Sequence, residues 1–392
     1  MTPSPPTESR TPLERTALIL ETNNLEGGHA PGFALESLHR VLGELQRQSC
    51  GLTALCELVI THHGWLSRHQ ATLERVVERT IRLVELPEDT DYYDAKNAGF
   101  DATSADVVVF ADSDCIPDPR WLEELLAPLA SPEVVVVAGR TSYPEGTLGQ
   151  ALSTLDFMYF ASDHGSRCCR NFYANNVAMR REIFATRRYA TAPEIYRGPC
   201  QVLGMRLHRE AVAVHFAPAA HTVHRLPDSW RELATLRWLR GADTTEMAPA
   251  IAQAAALDPA WVRRLGPALP LAVLGARLCF SLRASAGQRS TTAVRGVRWG
   301  MPDAFGPRRL AIAGVVVGFT ALDAAGSIAR VLDRKRGRTR NASGQVLSYH
   351  APTCEPFSGA RATHRACANL TSLPRAPATS CRGAGSCGPG RP

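Results

Sequence analysis

Two aspartates separated by one residue, Asp112-Ser113-Asp114, stand directly after the apolar run Val107-Val108-Val109-Phe110-Ala111. A continuous run of this kind reads as a strand covered on both faces. In an open parallel sheet, ligands bind beyond the carboxyl ends of such strands. Extended backbone aims residues i and i+2 to one side, so both carboxylates would share one rim. Two hard oxygens there suit Mg2+ or Mn2+, which combine carboxylates with the phosphate oxygens of a substrate. In a plain turn before Pro117 the same residues would only cap backbone groups. A bare Asp-x-Asp is common. Its place between a β-type run and Pro117-Asp118-Pro119-Arg120-Trp121 is what makes it specific.

Lys96, within Ala95-Lys96-Asn97-Ala98-Gly99, is one of two lysines among 44 cations, the other being Lys335. In a chain that writes nearly every cation as arginine, a lone lysine points to a place that needs a compact ammonium. The plain alternative is a solvated helix lysine. His224 offers an imidazole to a cation, or is a buried structural histidine. The 11 cysteines are odd in number and form no Cys-x-x-Cys pair, and neither Cys168-Cys169 nor the Cys50, Cys56 spacing suits zinc. They read as reduced thiols of a cytoplasmic protein.

The charge excludes a further class. The 392 residues carry a net +7, and the segment from Arg336 to the end holds eight arginines against Glu355 alone, so the body is neutral. A neutral body with a basic tail is not a duplex-binding domain, which needs its charge on a folded face, and no nucleic-acid partner is expected. Residues 336–392 are rich in Arg, Ala, Ser, Gly and Pro without a period and read as disordered, as do residues 1–14. Met1 to Arg15 has no apolar core and does not read as a secretory signal.

The elements that must position these residues alternate. Strands are expected over 16–22, 55–61, 81–86, 107–111 and 134–138, and helices over 33–48, 67–79, 91–105 and 119–129. Alternation implies crossover connections, hence an α/β fold with a mainly parallel sheet. Residues 145–235 read as mixed. Two apolar segments follow, about 265–282 and 310–332, interrupted by Arg277 and Asp323. A central Arg or Asp costs a spanning helix roughly 2.5–3.5 kcal/mol. Six arginines lie between the segments (283, 289, 295, 298, 308 and 309). Spanning would place them outside, against the positive-inside tendency. Interfacial or re-entrant helices on the cytoplasmic face of the inner membrane fit better, the alternative being two buried helices of a soluble protein.

At this point the chain resembles a family. The segment Asp106 to Leu122 is similar to the metal and nucleotide-sugar motif of family-two, GT-A-fold glycosyltransferases, and Ala95 to Gly99 to the basic-Asn-x-Gly element ahead of it. Asn171 to Phe184 resembles the acceptor-side segment, and Ala217 to His224 the late strand whose final histidine completes the metal site. The resemblance covers about residues 16–240. It implies a GT-A-like domain over 15–245, followed by a helical membrane-associated region over 246–335. It also implies inverting transfer of a sugar from a nucleoside-diphosphate-sugar to a hydroxyl of a saccharide or lipid-linked acceptor. By the match, Asp114, Asp112 and His224 hold Mg2+ or Mn2+. Thr22, Asn23, His62, Lys96, Asn97, Asp112 and Ser113 face the nucleotide sugar, and Asn175 and Asn176 lie on the acceptor side.

Three departures stand out. Ile60-Thr61-His62-His63-Gly64 lacks the family's base-reading Asp, so His62 or His63 would take that place. The family's catalytic carboxylate slot reads Arg197-Gly198-Pro199-Cys200-Gln201. Inversion needs a group to take the acceptor proton, which leaves Glu194 first and Asp163 second. Leu236-Arg237-Trp238 resembles the end of a processive motif, but Ala234 stands at its first position. The alternatives are a catalytically degenerate fold that binds a sugar nucleotide or a partner, and a nucleotidyltransferase. The latter would want a Gly-rich loop, and Asn23 to Gly28 supplies only Gly27-Gly28.

Overall fold

The computed structural model describes residues 12–22, 32–190, 195, 197–254, 257–285, 307–335, 338–340 and 346–348. The sheet is built from β1 (Thr16–Glu21), β2 (Glu57–His62), β3 (Arg82–Glu85), β4 (Val107–Asp112), β5 (Cys115–Pro117), β6 (Val136–Ser142), β7 (Cys168–Cys169), β8 (Asn176–Arg180) and β9 (Val214–His224). Its spatial order is β3-β2-β1-β4-β8-β6-β9-β5, with β7 also paired to β9. From β3 to β4 every pairing is parallel, each crossover carrying a helix: α1 (Phe33–Gln46), α2 (Gln70–Val77) and α3 (Tyr92–Asp101). Beyond β4 the sheet is mixed. β8 enters antiparallel between β4 and β6, and β6 pairs parallel with β9. The α/β fold expected from the sequence is present, and the mixed part joins β5 and β6 to β7, β8 and β9, the last three from residues 145–235.

Strand alternation divides the core. Leu18, Leu20, Val107 and Val109 pack on one face against Leu38 and Leu42 of α1, Leu73 of α2, and Trp121 and Leu122 of α4 (Trp121–Leu126). Ile19, Val108 and Phe110 pack on the other face, against Phe100 of α3, Leu152 and Leu155 of α5 (Thr147–Asp156), Phe184 of α6 (Arg181–Thr186) and Leu203 of α7 (Pro199–Arg209). β1 and β4 are buried at every position, which is why they read as continuous apolar runs. Each large side chain buried this way contributes about 1.5–3 kcal/mol. α3 lies unusually close to β1. A Cβ on Gly99 would stand 2.5 Å from Ile19 Cγ2, so glycine there lets the helix approach and carry Lys96 to the end of β4.

Four helices follow: α8 (Trp230–Ala254), α9 (Pro259–Leu265), α10 (Leu269–Ser285) and α11 (Pro307–Lys335). α8 and α11 cross at small residues. A Cβ on Gly241 would run into Asp323 O, and one on Gly326 into Trp238 O. The charges that interrupt the two apolar segments point inward. Asp323 pairs with the buried Arg237 of α8, which also donates to Asp156 of α5 at 2.6 Å. Arg277 donates to Leu155 O at 2.8 Å, and Ser281 to Thr154 O at 2.9 Å. The outward stripe of α11 carries Leu310, Val317, Ile328 and Leu332, each at least 45% exposed. By length and composition alone, Ala260–Arg283 and Pro307–Arg334 could each cross a membrane. Within the segment expected to be disordered, β10 (Arg338–Arg340) and β11 (Val346–Ser348) pair antiparallel. Residues 1–11 and the rest of 336–392 lie outside the described residues.

Candidate active site

β4 ends at Asp112, and a two-residue turn, Ser113-Asp114, hands the chain to β5. β5 pairs antiparallel with β9 in the register Cys115 to His224, which brings the end of β9 against Asp114. His224 Nε2 lies 3.4 Å from Asp114 Oδ2. Its Nδ1 lies 2.8 Å from the Arg225 carbonyl oxygen. A carbonyl only accepts, so Nδ1 carries a proton and Nε2 is the ring nitrogen turned toward Asp114. Asp114, Cys115 and His224 place one ligand atom each within 4.8 Å of one another. Asp114 is 5% exposed, and Cys115 donates to its Oδ1 at 3.5 Å. Burial, and then the Asp114 and Asp112 carboxylates, push the Cys115 thiol well up, so it is a thiol and not a ready thiolate ligand. A carboxylate beside an oriented imidazole is a donor set that a divalent cation such as Mn2+ fits.

Asp112 is engaged differently. Lys96 Nζ, fully buried, donates to its Oδ1 at 2.5 Å and to Ala111 O at 3.0 Å. Tyr92 OH lies 3.0 Å from Oδ1 and 2.8 Å from Oδ2, and the ammonium sits 4.8 Å from the Tyr92 ring centre. Burial raises the Asp112 carboxyl, the Lys96 ammonium pulls it back, and Asp114 adds to the rise. Burial, then the Asp112 charge, hold the Tyr92 phenol well above its ordinary value, so it stays a donor. Both Asp112 oxygens are thus bound from behind, and Asp114 is the carboxylate turned toward His224. The solvated-lysine reading of Lys96 is corrected, because an unpaired ammonium could not be fully buried. Tyr92 escaped notice in the sequence, although it lies four residues before Lys96 on the same helical face.

The two carboxylates, His224, Tyr92 and Asn175 line one cleft of about 790 Å3, closed on its far side by α8. Arg197, Arg225, Arg240 and Arg277 also line it, as do Asp156, Glu232 and Asp243. The sequence named Arg277 only as an interruption of an apolar segment and Arg197 only in the slot without a carboxylate, since α8 and α10 fold back onto the cleft from far along the chain. Gly198, at φ +114°, turns the chain into α7 against Met247 of α8, and Tyr93 OH donates to Cys200 Sγ at 3.2 Å. Arg197 N donates to Asp243 Oδ2 at 3.2 Å.

The remaining sequence candidates divide. Thr22 donates to Thr61 O at 2.8 Å, tying β1 to β2. His62 is fully buried, with Nδ1 3.5 Å from Leu66 N. Asn97 donates to Tyr189 O at 3.1 Å. Ser113 accepts from Ser37 at 2.9 Å through its carbonyl, while its own buried hydroxyl has no hydrogen-bond partner among the described residues. Asn175 Oδ1 accepts from Thr141 at 3.1 Å at the cleft wall. Asn176 instead forms a knot inside the sheet. It accepts from Trp121 Nε1 at 2.8 Å and donates to Arg140 O and Ala220 O, both at 3.0 Å. Asp163 is absent from the cleft lining; its side chain is 73% exposed and stands beside His208. Asn23, Gly27-Gly28 and Glu194 lie outside the described residues.

No curated protein matches the chain. Among solved structures, the mannosyltransferase PcManGT from Pyrobaculum calidifontis, in complex with GDP-Man and Mn2+, is 15% identical over 82% of this chain and 88% of its own, with a TM-score of 0.49. Glucosyl-3-phosphoglycerate synthase from Mycobacterium tuberculosis, in complex with phosphoglyceric acid, is 18% identical over 64% of this chain and 81% of its own, at a TM-score of 0.43. Likenesses this distant carry no argument about the chemistry. The family model is more direct: residues 56–188, from the start of β2 to the end of α6, match glycosyl transferase family 2. That span holds Lys96, Asp112, Asp114 and Asn175, so the chain carries a glycosyl transferase family 2 domain and is a glycosyltransferase.

Proposed function

We propose that the chain moves a sugar from a nucleoside-diphosphate-sugar to an acceptor hydroxyl with inversion, assisted by Mg2+ or Mn2+. The observation that carries this reading is Asp114 beside His224, whose Nδ1–H is held by the Arg225 carbonyl and whose Nε2 is turned toward that carboxylate. These two would hold the ion, with substrate phosphate oxygens and water completing its shell. When bound, it supplies positive charge to the diphosphate leaving group. The imidazole favours Mn2+ over Mg2+. Lys96 and Tyr92 fix Asp112 and so stiffen the rim on which Asp114 stands. Thr22 and His62 serve the donor by shaping the ends of β1 and β2, Asn97 by tying α3 to the Tyr189 carbonyl, and Asn175 meets the acceptor side.

Inversion needs a carboxylate near the acceptor oxygen. Glu194 remains the candidate from sequence. The geometry adds Asp243, which lines the cleft and accepts the N–H of Arg197 in the slot where the sequence has no carboxylate. Asp114→Asn removes charge stabilisation of several kcal/mol, so nucleoside-diphosphate release from the best donor should fall about a thousandfold. Asp243→Asn and Glu194→Gln identify the base: the one that abolishes turnover while the donor still raises Tm held that role. A wild-type chain that a sugar nucleotide stabilises but does not turn over would be a binding protein and would end the enzyme reading.

The acceptor is a saccharide or a lipid-linked sugar, met at the cytoplasmic face of the inner membrane. Support comes from α11, whose exposed stripe is apolar while its buried Asp323 is turned inward onto Arg237 of α8. Flotation of the full chain with anionic vesicles, weakened by Leu310→Asp with Val317→Asp, is the expected result. Recovery of the wild type entirely in the vesicle-free fraction would oppose it.

A further inference from the structure

A second group of metal-ligand side chains lies outside the cleft, and it does not depend on the glycosyltransferase chemistry. The chain between Ala161 and Cys169 is a tight loop closed by a β-bridge between those two residues, with Ser162 N donating to Cys168 O at 2.9 Å and Cys168 N to Gly165 O at 3.1 Å. Asp163 and His164 sit on this loop. His208 sits in the last turn of α7. His208 Nε2 is 3.4 Å from Asp163 Oδ1, and His164 Nε2 is 3.9 Å from the same oxygen. The two imidazole rings lie 4.4 Å apart at 33°, nearly stacked. One ligand atom from each of the three falls within 4.8 Å of the others.

We propose that Asp163, His164 and His208 form a Zn2+ site that pins this loop to the C-terminal end of α7. Tetrahedral Zn2+ with bonds of about 2.0–2.2 Å sets its ligands roughly 3.3–3.5 Å apart. The separations of 3.4 and 3.9 Å from Asp163 Oδ1, with all three ligand atoms within 4.8 Å of one another, reach that spacing through a closure of the exposed loop. Two imidazoles and one carboxylate are a zinc donor set, with water in the fourth position. A supporting shell is in place. Ser162 Oγ lies 3.1 Å from His208 Nδ1, orienting that ring, and accepts the backbone N–H of His164 at 3.1 Å, which ties the loop to the same hydroxyl. With Nδ1–H given to that hydroxyl, His208 directs Nε2 toward Asp163, the arrangement metal-binding histidines use. A bare ion pair between Asp163 and His208 would not need the second imidazole on the same carboxylate oxygen.

The placement says what the ion would do. α7 has 11 residues, roughly 16 Å of helix, and its other end carries Gly198, Cys200 and Gln201 into the cleft. The ion is therefore distant from the Asp114 and His224 pair and anchors the far end of a cleft-lining helix.

The test uses the EDTA-stripped full-length chain, titrated with Zn2+ and separately with Co2+. Because the cleft and other thiols or histidines also bind Zn2+, each variant is compared in both the wild-type and the Asp114→Asn background. His208→Ala and, independently, His164→Ala should bind one equivalent fewer than their parents in both backgrounds. Ser162→Ala should weaken that equivalent by about 10- to 100-fold. The Co2+ difference spectrum between parent and His208→Ala should show intense tetrahedral absorption without a thiolate charge-transfer band. Zn2+ should raise the Tm of the parent more than that of His164→Ala, since a ligand of the native state stabilises by RT ln(1 + [L]/Kd). Unchanged stoichiometry and affinity in both histidine variants would overturn the proposal, as would a thiolate band in the difference spectrum.

Discussion

Lys96 is the residue on which the chemistry of the rim turns. Its ammonium fills a fully buried space bounded by the Ala111 carbonyl, the Asp112 carboxylate and the rings of Tyr92 and Phe110. A guanidinium is larger, planar and carries five donors, so it cannot repeat those contacts without moving Asp112. Overpacking of this kind costs about 1–3 kcal/mol. Lys96→Arg should therefore lower the urea midpoint by the equivalent of that loss and weaken Mn2+-dependent donor binding. Lys96→Met, which leaves Asp112 buried without its cation, should be worse in both measurements. A Lys96→Arg chain with normal stability and normal donor binding would return the lysine to coincidence. The sequence marked this position only by rarity, because burial is not written in a residue's identity.

At the scale of elements, the telling unit is the contact of α5, α8 and α11. Arg237 is 1% exposed and lies between Asp156 and Asp323, with Arg240 also on Asp156. Removing one member of a buried pair leaves a charge without compensation and costs about 3–5 kcal/mol. Arg237→Met should lower stability by about that much, read from chemical denaturation, and Asp323→Asn by less, because Arg237 retains Asp156. Asp323 and Arg277 looked like flaws in two membrane-like segments. They are the contacts by which those segments dock on the catalytic domain, and helical periodicity alone does not say what a buried charge will meet. The strand and helix assignments of the first half needed no such information. β1 and β4 are covered on both faces, and α1 buries a single stripe at Leu38, Val41, Leu42 and Leu45.

For the whole molecule, pH dependence follows from its partly buried histidines. Burial lowers His221 and His215, with Arg140 and Arg167 nearby acting in the same direction, while Asp118 partly opposes the shift at His221. An imidazole whose folded pKa lies below its unfolded one binds fewer protons when folded. Stability then rises with pH in that interval, is fully present above the unfolded value of about 6.5, and is lost as pH falls below it. Unfolding midpoints should accordingly drop between pH 7.5 and pH 5.5. The drop should be smaller in His221→Gln, whatever that variant does to stability at pH 7.5. An unaltered slope in His221→Gln would assign the dependence to other groups.

The sequence by itself determined the alternation of strands and helices and the place of Asp112 and Asp114 at a strand end, while His224 entered only through the resemblance. These are local matters of apolar period, turn chemistry and motif order, and each is legible within a few residues. Only the tertiary structure decided which carboxylate is turned toward His224 and which is held by Lys96. It also decided that Asn176 knots the sheet while Asn175 meets the cleft, and that Asp163 belongs with His164 and His208. Those outcomes depend on which groups burial brings together across stretches of chain from 16 residues (Lys96 to Asp112) to 110 (Asp114 to His224), where the cost of an unpaired polar group selects partners that sequence spacing does not name.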